Sequence, residues 1–215
     1  MTTTVTVVDY GVGNLFSVAR AFEHCGAVVV LADTPQAVAR ASHLVLPGVG
    51  AFADGMRELR QRGLVEPVIE FAAGGRPFLG ICLGMQMLLS ASDEFGEHAG
   101  LGIVPGRVEA IPHTGADGRP HKIPHIGWNA LRKPSPEPRW EGTILDGIPE
   151  GAAVYFVHSF TPVPDRTEHR LADCDYDGRV ISAVVHKGLV FGCQFHPEKS
   201  GEVGLRIVRN FLELS

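Results

Sequence analysis

The sequence lacks several features that would assign it to a large functional class. Its 19 Lys and Arg against 24 Asp and Glu give a formal net charge of −5 without a basic block, so nothing indicates binding to nucleic acid or to an anionic membrane. No apolar run approaches the roughly 20 residues that span a bilayer, and residues 1–8 carry no basic segment of a secretory leader. These absences predict a soluble cytoplasmic protein.

Metal and nucleotide signatures are also missing. The four cysteines lie far apart, without CxxC or metal-ligand spacing; they are Cys25, Cys82, Cys174 and Cys193. The glycines at 11–13 and 48–50 do not complete a dinucleotide fingerprint, and no P-loop lysine is present. We therefore expect reduced thiols, no metal and no cofactor.

The distribution of apolar residues predicts an α/β fold. With 215 residues, 45% of them hydrophobic, the chain is expected to form one domain over residues 1–215. Strand and helix patterns alternate up to residue 100, which predicts a flavodoxin-like, mainly parallel twisted sheet with helices on both faces. Residues 101–150 are rich in Pro and Gly, with short strand-like pieces. Two later apolar runs, 180–186 and 189–195, predict a hairpin through Lys187-Gly188 and antiparallel strands at the sheet edge.

Cys82 lies in the motif Gly80-Ile-Cys-Leu-Gly84, between an apolar strand and a helix predicted to start near Met85. This is the context of a nucleophile elbow, in which flanking glycines allow a sharp turn that exposes one side chain. The helix N-terminus would favour a thiolate, and the N–H of Leu83 could face a developing oxyanion. The same pattern fits a buried structural cysteine.

A base for such a thiol is available near the C-terminus. His196 and Glu198 follow an apolar strand, and residues two apart on extended backbone point the same way. Glu198 could then orient the imidazole while its other nitrogen faces Cys82. A surface histidine beside a solvated carboxylate is the alternative. A glycine loop after another strand, Leu46–Phe52, could offer backbone N–H groups through a peptide flip at Gly48-Val49, or could be a plain turn.

Together these motifs resemble the triad, or class I, glutamine amidotransferases, and within them the glutaminase subunits of imidazole glycerol phosphate synthases. The motifs general to the superfamily are residues 80–86 (GICLGMQ), 47–50 (PGVG), 155–159 (YFVHS) and 196–198 (HPE). Those more particular to the subunits are residues 9–14 (DYGVGN), 46–52 (LPGVGAF), 123–129 (IPHIGWN) and 196–200 (HPEKS). The resemblance covers essentially the whole chain, with no departure at a catalytic position.

The resemblance implies hydrolysis of L-glutamine through a Cys82 thioester, with His196 and Glu198 completing the triad. Leu83 and Val49 would form the oxyanion hole. The residues implied in binding glutamine are Gly48, Gly50, Gln86, Glu94, His158, Ser159 and Phe160. The ammonia would pass to a (β/α)₈-barrel cyclase subunit, which forms imidazole glycerol phosphate and an aminoimidazole carboxamide ribotide. Asn14, Trp128 and Lys199 are expected at the interface with that partner.

Several alternatives stay open at this point. The chain could be the glutaminase subunit of another synthase, such as that of anthranilate or pyridoxal phosphate, or a flavodoxin-like cysteine sensor without turnover. Individually, Glu94 could be a solvated acid, His158 a strand-end histidine and Trp128 a core residue. The segment 134–140 is interpreted as a variable surface loop, and the three cysteines other than Cys82 as core residues.

Overall fold

The computed structural model describes residues 2–215, and Met1 lies outside the described residues. The strands of the described part are, in chain order, β1 (Thr4–Val8), β2 (Val28–Ala32), β3 (His43–Gly48), β4 (Phe78–Cys82), β5 (Leu89–Ser92), β6 (His98–Ala99), β7 (Val104–Ala110), β8 (His125–Ala130), β9 (Ala153–His158), β10 (Phe160–Pro164), β11 (Arg170–Tyr176), β12 (Arg179–Lys187) and β13 (Val190–Cys193). The helices are α1 (Leu15–His24), α2 (Pro35–Ala39), α3 (Phe52–Gln61), α4 (Val65–Ala73), α5 (Leu83–Met87) and α6 (Gly201–Glu213). Two 3₁₀ turns span Thr167–His169 and Pro197–Lys199.

The central sheet has seven strands in the order β11-β12-β13-β4-β3-β1-β2. The five strands from β13 to β2 run parallel, and β12 and β11 add antiparallel pairs on one side. The predicted mainly parallel sheet with antiparallel edge strands is confirmed, including the hairpin between β12 and β13. Because β1, β3, β4 and β13 are parallel, their carboxyl ends meet at one edge of the sheet, where ligands bind in open α/β folds.

Helices cover both faces of this sheet, as the alternating pattern predicts. In β3, Val45 packs into one apolar cluster while Leu44 and Leu46 pack into the other, because successive side chains of a strand point to opposite faces. α1 and α6 contribute to the first cluster and meet through the rings of Phe22 and Phe211 at 6.0 Å. α2, α3, α4 and α5 contribute to the second. No helix within residues 2–215 is both long and apolar enough to cross a bilayer.

The second half of the chain is more structured than its composition indicates. β10, β7, β5 and β6 form a separate four-stranded sheet, and β8 pairs with β9 in a two-stranded ribbon. The expectation of only short strand-like pieces between residues 101 and 150 is wrong, since β7 alone has seven residues. β7 pairs with β10 and β8 with β9 across long stretches of sequence, which a local pattern does not reveal.

The segment 134–140 is not simply a surface loop. Its last residue, Trp140, is 4% exposed and packs in the first apolar cluster. The indole N–H donates to the carbonyl of Leu171 at 2.8 Å, which satisfies the polar atom of a buried ring. The proline-rich stretch before Trp140 therefore leads into the core, and the surface-loop interpretation is corrected for this residue.

Candidate active site

Cys82 ends β4 in the middle of the sheet and immediately precedes α5. Its backbone has φ +54° and ψ −110°, a conformation that is strained for a residue with a side chain. Two close approaches require glycine on either side. A Cβ on Gly84 would lie 1.8 Å from the carbonyl oxygen of Leu46, and one on Gly80 would lie 2.8 Å from the backbone of Gly84. The geometry is that of the expected elbow, although the helix starts at Leu83 and not near Met85.

His196 and Glu198 are held against each other below the surface. Nδ1 of His196 and Oε1 of Glu198 are 2.7 Å apart, and the two side chains are 5% and 2% exposed. The expected extended stretch is wrong beyond His196, because Pro197–Lys199 forms a 3₁₀ turn. That turn folds the carboxylate back onto Nδ1, which leaves Nε2 as the ring nitrogen that can face Cys82.

The β8–β9 ribbon fixes the backbone around this pair. The N–H of His196 donates to the carbonyl of Tyr155 in β9 at 3.0 Å. The hydroxyl of Ser200 donates to the carbonyl of His196 at 2.6 Å and accepts from the N–H of Tyr155 at 3.0 Å. The imidazole is therefore positioned by a strand outside the central sheet as well as by its own carboxylate.

The protonation of His196 depends on its neighbours. Burial disfavours the imidazolium, but hydrogen bonds and charge interactions with Cys82 and Glu198 outweigh it and raise the pKa of His196 to about 9. A protonated imidazole at neutral pH is the partner that a reactive thiolate needs. The three side chains thus have the contacts of a nucleophile, a base and an orienting acid.

The glycine loop after β3 lies beside Cys82. The hydroxyl of the buried Tyr10 donates to the carbonyl of Pro47 at 2.7 Å, and a Cβ on Gly48 would lie 2.4 Å from that hydroxyl oxygen. Gly48 therefore packs behind the loop and does not line the cavity described next, unlike Val49 and Gly50. Gly50 has φ +92°, a region that favours glycine.

A cavity of about 480 Å³ opens in front of Cys82, a size typical of sites for small molecules. Its lining includes ten residues singled out in the sequence: Val49, Gly50, Cys82, Leu83, Gln86, Glu94, His158, Ser159, Phe160 and His196. The second sheet and the segments beside it supply residues that were not assigned to the site from the sequence. Ile123 and Val157 belong to the quoted motifs 123–129 and 155–159, and the others are Phe95, Ala110, Ile111 and His113. Among residues 2–215, no cluster of three His, Cys, Asp or Glu side chains could hold a metal ion.

Two polar side chains of the lining tie separate elements together. Oε2 of Glu94 accepts from the N–H of Phe52 at 2.6 Å, which connects the loop after β5 to the start of α3. Nε2 of Gln86 donates to the carbonyl of Phe160 at 3.2 Å and to Oε1 of Gln194 at 3.0 Å. Gln194 is a buried residue that sequence reasoning missed. The only signal for it was its place just before Phe195-His196.

His158 lines the cavity and is hydrogen-bonded to a second buried histidine, His125. Nδ1 of His158 donates to the carbonyl of Phe160 at 2.8 Å, so a neutral His158 has an unprotonated Nε2. That nitrogen accepts from Nδ1 of His125 at 3.0 Å. Burial lowers the pKa of His158 to about 3 and that of His125 to about 4. Both rings are neutral at physiological pH. The sequence placed His125 only within the motif 123–129.

These depressed pKa values predict acid sensitivity. An unfolded chain protonates these two histidines near pH 6.5, whereas the folded chain does not. The unfolded state therefore binds more protons between pH 6.5 and about 4, and stability falls as pH falls through that range.

We expect His125→Gln, which keeps an N–H donor, to reduce the loss in unfolding free energy between pH 7.5 and 5 by about 1–2 kcal/mol. Urea denaturation at both pH values measures this. His24→Gln, at an exposed histidine, should leave the loss unchanged. An unchanged loss in His125→Gln would contradict the assignment.

The three residues expected at a partner interface lie outside the cavity. Trp128 is 59% exposed, and hence not a core residue, and its ring lies 6.1 Å from that of Tyr155. Asn14 is exposed and accepts from the N–H of Ser17 at 3.2 Å, which caps α1. Lys199 is exposed in the 3₁₀ turn, against which α1 packs. Of the remaining cysteines, Cys174 and Cys193 are buried and Cys25 is half-buried, all as free thiols.

Known proteins resemble this chain over nearly its whole length. Residues 6–214 match the family described as glutamine amidotransferase class-I. The chain is 56% identical over 210 residues to the imidazole glycerol phosphate synthase subunit HisH 1 of Legionella pneumophila strain Lens, which covers 98% of this chain and 99% of that protein. It is 48% identical over 208 residues to the subunit HisH of Syntrophotalea carbinolica, with 96% and 98% covered.

Solved structures share the fold at low sequence identity. A structure described as a glutamine amidotransferase aligns with a TM-score of 0.70 and 21% identity, covering 97% of each chain. PurLQS from Thermotoga maritima aligns with a TM-score of 0.68 and 19% identity, covering 99% of this chain and 98% of that one. At such identities these matches indicate a common fold and nothing finer.

Proposed function

The chain belongs to the class-I glutamine amidotransferase family, and we propose that Cys82, His196 and Glu198 are its catalytic triad. It is the glutaminase subunit of an imidazole glycerol phosphate synthase and hydrolyses L-glutamine. The observation that carries the triad is the strained Cys82 elbow, which opens into the same cavity as His196, whose Nδ1 is held by the buried carboxylate of Glu198.

The reaction proceeds in two acyl-transfer steps. The Cys82 thiolate attacks the side-chain amide carbon of glutamine, and the imidazolium of His196 gives its proton to the departing ammonia, leaving a γ-glutamyl thioester. His196 then takes a proton from water, which attacks the thioester and releases glutamate and the thiolate. Glu198 keeps Nδ1 of the imidazole protonated and Nε2 directed at the reacting atoms throughout.

Two backbone N–H groups stabilise the negative charge that develops on the amide oxygen by donating hydrogen bonds to it. Leu83 directly follows the nucleophile at the first position of α5, and Val49 lines the cavity on the loop after β3. One such donor contributes about 2.7–4 kcal/mol to the transition state. The orientation of the Gly48-Val49 peptide therefore decides whether the site is fully active.

The polar lining recognises the rest of the substrate. Both N–H groups of the Gln86 amide already donate within the protein, so its carbonyl oxygen is the atom left to accept from the α-ammonium group of glutamine. Gly50, Glu94, His158, Ser159 and Phe160 complete the substrate contacts, since all five line the cavity. Gly48 contributes by allowing Tyr10 and Leu83 to pack closely behind the loop.

The names of the relatives, which are subunits of a synthase, imply a second subunit, and we propose that it is a (β/α)₈-barrel cyclase that consumes the ammonia. We infer that the cyclase binds the surface formed by Asn14, Trp128 and Lys199, because these residues are exposed around the 3₁₀ turn that carries Glu198. We also propose that the enzyme works in the cytoplasm, because its four cysteines are free thiols.

Glutamate release tests this function. We expect slow glutaminase activity of the purified chain and strong activation when the barrel subunit and its ribotide ligand are added. An anthranilate synthase subunit serves as the control and should not activate the chain. Activation by that subunit and none by the barrel would favour the alternative partner. A cysteine sensor needs no His196–Glu198 pair, and a lack of covalent adduct on Cys82 with a diazo-ketone analogue of glutamine would favour that alternative.

A further inference from the structure

Gln194 is the first residue after β13 and is completely buried. Its backbone N–H donates to the carbonyl of Ala183 in β12 at 2.9 Å, which holds the residue in the plane of the sheet. Its side-chain amide lies between two residues of the proposed active site, Cys82 and Gln86. A buried amide is costly unless its polar atoms are paired, so both contacts require an explanation.

The contacts around Gln86 determine which way the Gln194 amide points. A carbonyl oxygen can only accept, so the atom of Gln86 that faces the carbonyl of Phe160 must be the nitrogen. The same nitrogen lies 3.0 Å from Oε1 of Gln194 and donates to it. Nε2 of Gln194 is therefore directed at Sγ of Cys82, 3.8 Å away. The reversed amide would oppose two N–H donors and direct an oxygen lone pair at the sulfur.

The carbonyl of Phe160, which is the last acceptor in this series of hydrogen bonds, is itself fixed in position. The carbonyl of Phe160 also accepts from Nδ1 of His158 at 2.8 Å, and Phe160 pairs with Ala110 between β10 and β7. The carbonyl of Phe160 in the second sheet thus fixes the orientation of the Gln86 amide, and the hydrogen bond from Gln86 fixes the orientation of the Gln194 amide. The sulfur of Cys82 receives an N–H donor whose direction is set outside the central sheet.

We propose that Gln194 binds the thiolate of Cys82, donating a hydrogen bond to the sulfur that favours its charged form and fixes its position next to His196. The proposal rests on the proposed function only for its consequence in glutamine hydrolysis. Hydrogen bonds to ionised acceptors are stronger than those between neutral groups. A single short segment, residues 194–198, then carries three side chains that favour the charged form of the nucleophile: Gln194, His196 and, through the histidine, Glu198.

The test measures the charge of the thiol and not glutamine turnover. Cys82 in the native chain and in Gln194→Met is alkylated with iodoacetamide across a pH series, and the modified Cys82 peptide is quantified by mass spectrometry. Methionine keeps the length of the side chain and removes the donor. We expect the midpoint of the pH–rate profile to rise by about one unit, with a rate about tenfold lower below the native midpoint. An unchanged midpoint in the folded variant would overturn the proposal.

The matched control is Asn210→Leu, which removes another buried amide, on α6, that donates to the carbonyls of Ile144 and Asp146. It should lower stability and leave the alkylation midpoint in place. An equal shift in this control would show that general destabilisation moves the profile, and would overturn the proposal.

If Gln194→Met does not fold, the native chain still gives an answer. The side-chain amide signal of Gln194 in ¹⁵N NMR should then move with the same pH midpoint as the alkylation of Cys82. A signal that does not move would overturn the proposal. None of these measurements uses glutamine, so a failure of the proposed glutaminase activity is recognised separately.

Discussion

Cys82→Ser is expected to lower glutaminase activity by a factor of about 10⁴ or more while the chain still folds and binds the barrel subunit. Serine has nearly the same shape, so the strained backbone at φ +54° and the packing of the elbow are kept. A hydroxyl, however, gives up its proton far less readily than a thiol and is the weaker nucleophile, so attack on the amide becomes much slower. Glutamate release, urea denaturation and size-exclusion chromatography with the partner measure the three properties.

Cys25→Ser makes the same chemical change at a half-buried thiol whose sulfur lies 3.6 Å from the carbonyl of Leu205. That variant should keep native activity, which separates the role of Cys82 from a general need for cysteine. Loss of folding in Cys82→Ser, with Cys25→Ser unaffected, would show instead that Cys82 is structural, the alternative that the G-x-C-x-G pattern left open.

The sequence indicated the proposed nucleophile, base and acid because each lies at or just after the end of an apolar strand. Strand ends are readable from composition, and parallel strands bring their carboxyl ends to one edge. This rule is enough to bring Cys82 close to His196, because β4 and β13 are neighbouring parallel strands. The contact between Glu198 and His196 is present, but it does not arise from the extended backbone on which the expectation was based. A 3₁₀ turn and not an extended strand brings Glu198 to His196, and proline at 197 is compatible with both.

Other parts of the site depend on contacts between distant segments, which no local pattern contains. Gln194 and His125 owe their environments to side chains more than 30 positions away, Gln86 and His158. The second sheet pairs β5 with β7 in parallel and with a register shift near Leu89, so neither its existence nor the cavity wall it supplies follows from hydrophobic periodicity. Motif recognition identified most of the residues that line the cavity. It did not show that Gly48 packs behind the glycine loop, outside that lining.

Gly84→Ala is expected to disrupt the elbow more severely than any change in its side chains. A Cβ at this position would lie 1.8 Å from the carbonyl oxygen of Leu46, which is backbone of a buried central strand and cannot move aside. α5 would have to shift away from β3, and with it the N–H of Leu83 and the side chain of Gln86. We expect the free energy of unfolding to fall by about 3 kcal/mol or more, a large share of the 5–15 kcal/mol typical of a domain.

Gly74→Ala is the matched control, because a Cβ there would lie 3.3 Å from its nearest neighbour, the carbonyl oxygen of Phe71. We expect a change within about 1 kcal/mol and native activity. Any folded fraction of Gly84→Ala should lack glutaminase activity even though the proposed triad is intact, because the proposed oxyanion donor at Leu83 has moved. Native stability and activity in Gly84→Ala would contradict the contact between α5 and β3 that sets the nucleophile at the centre of the sheet.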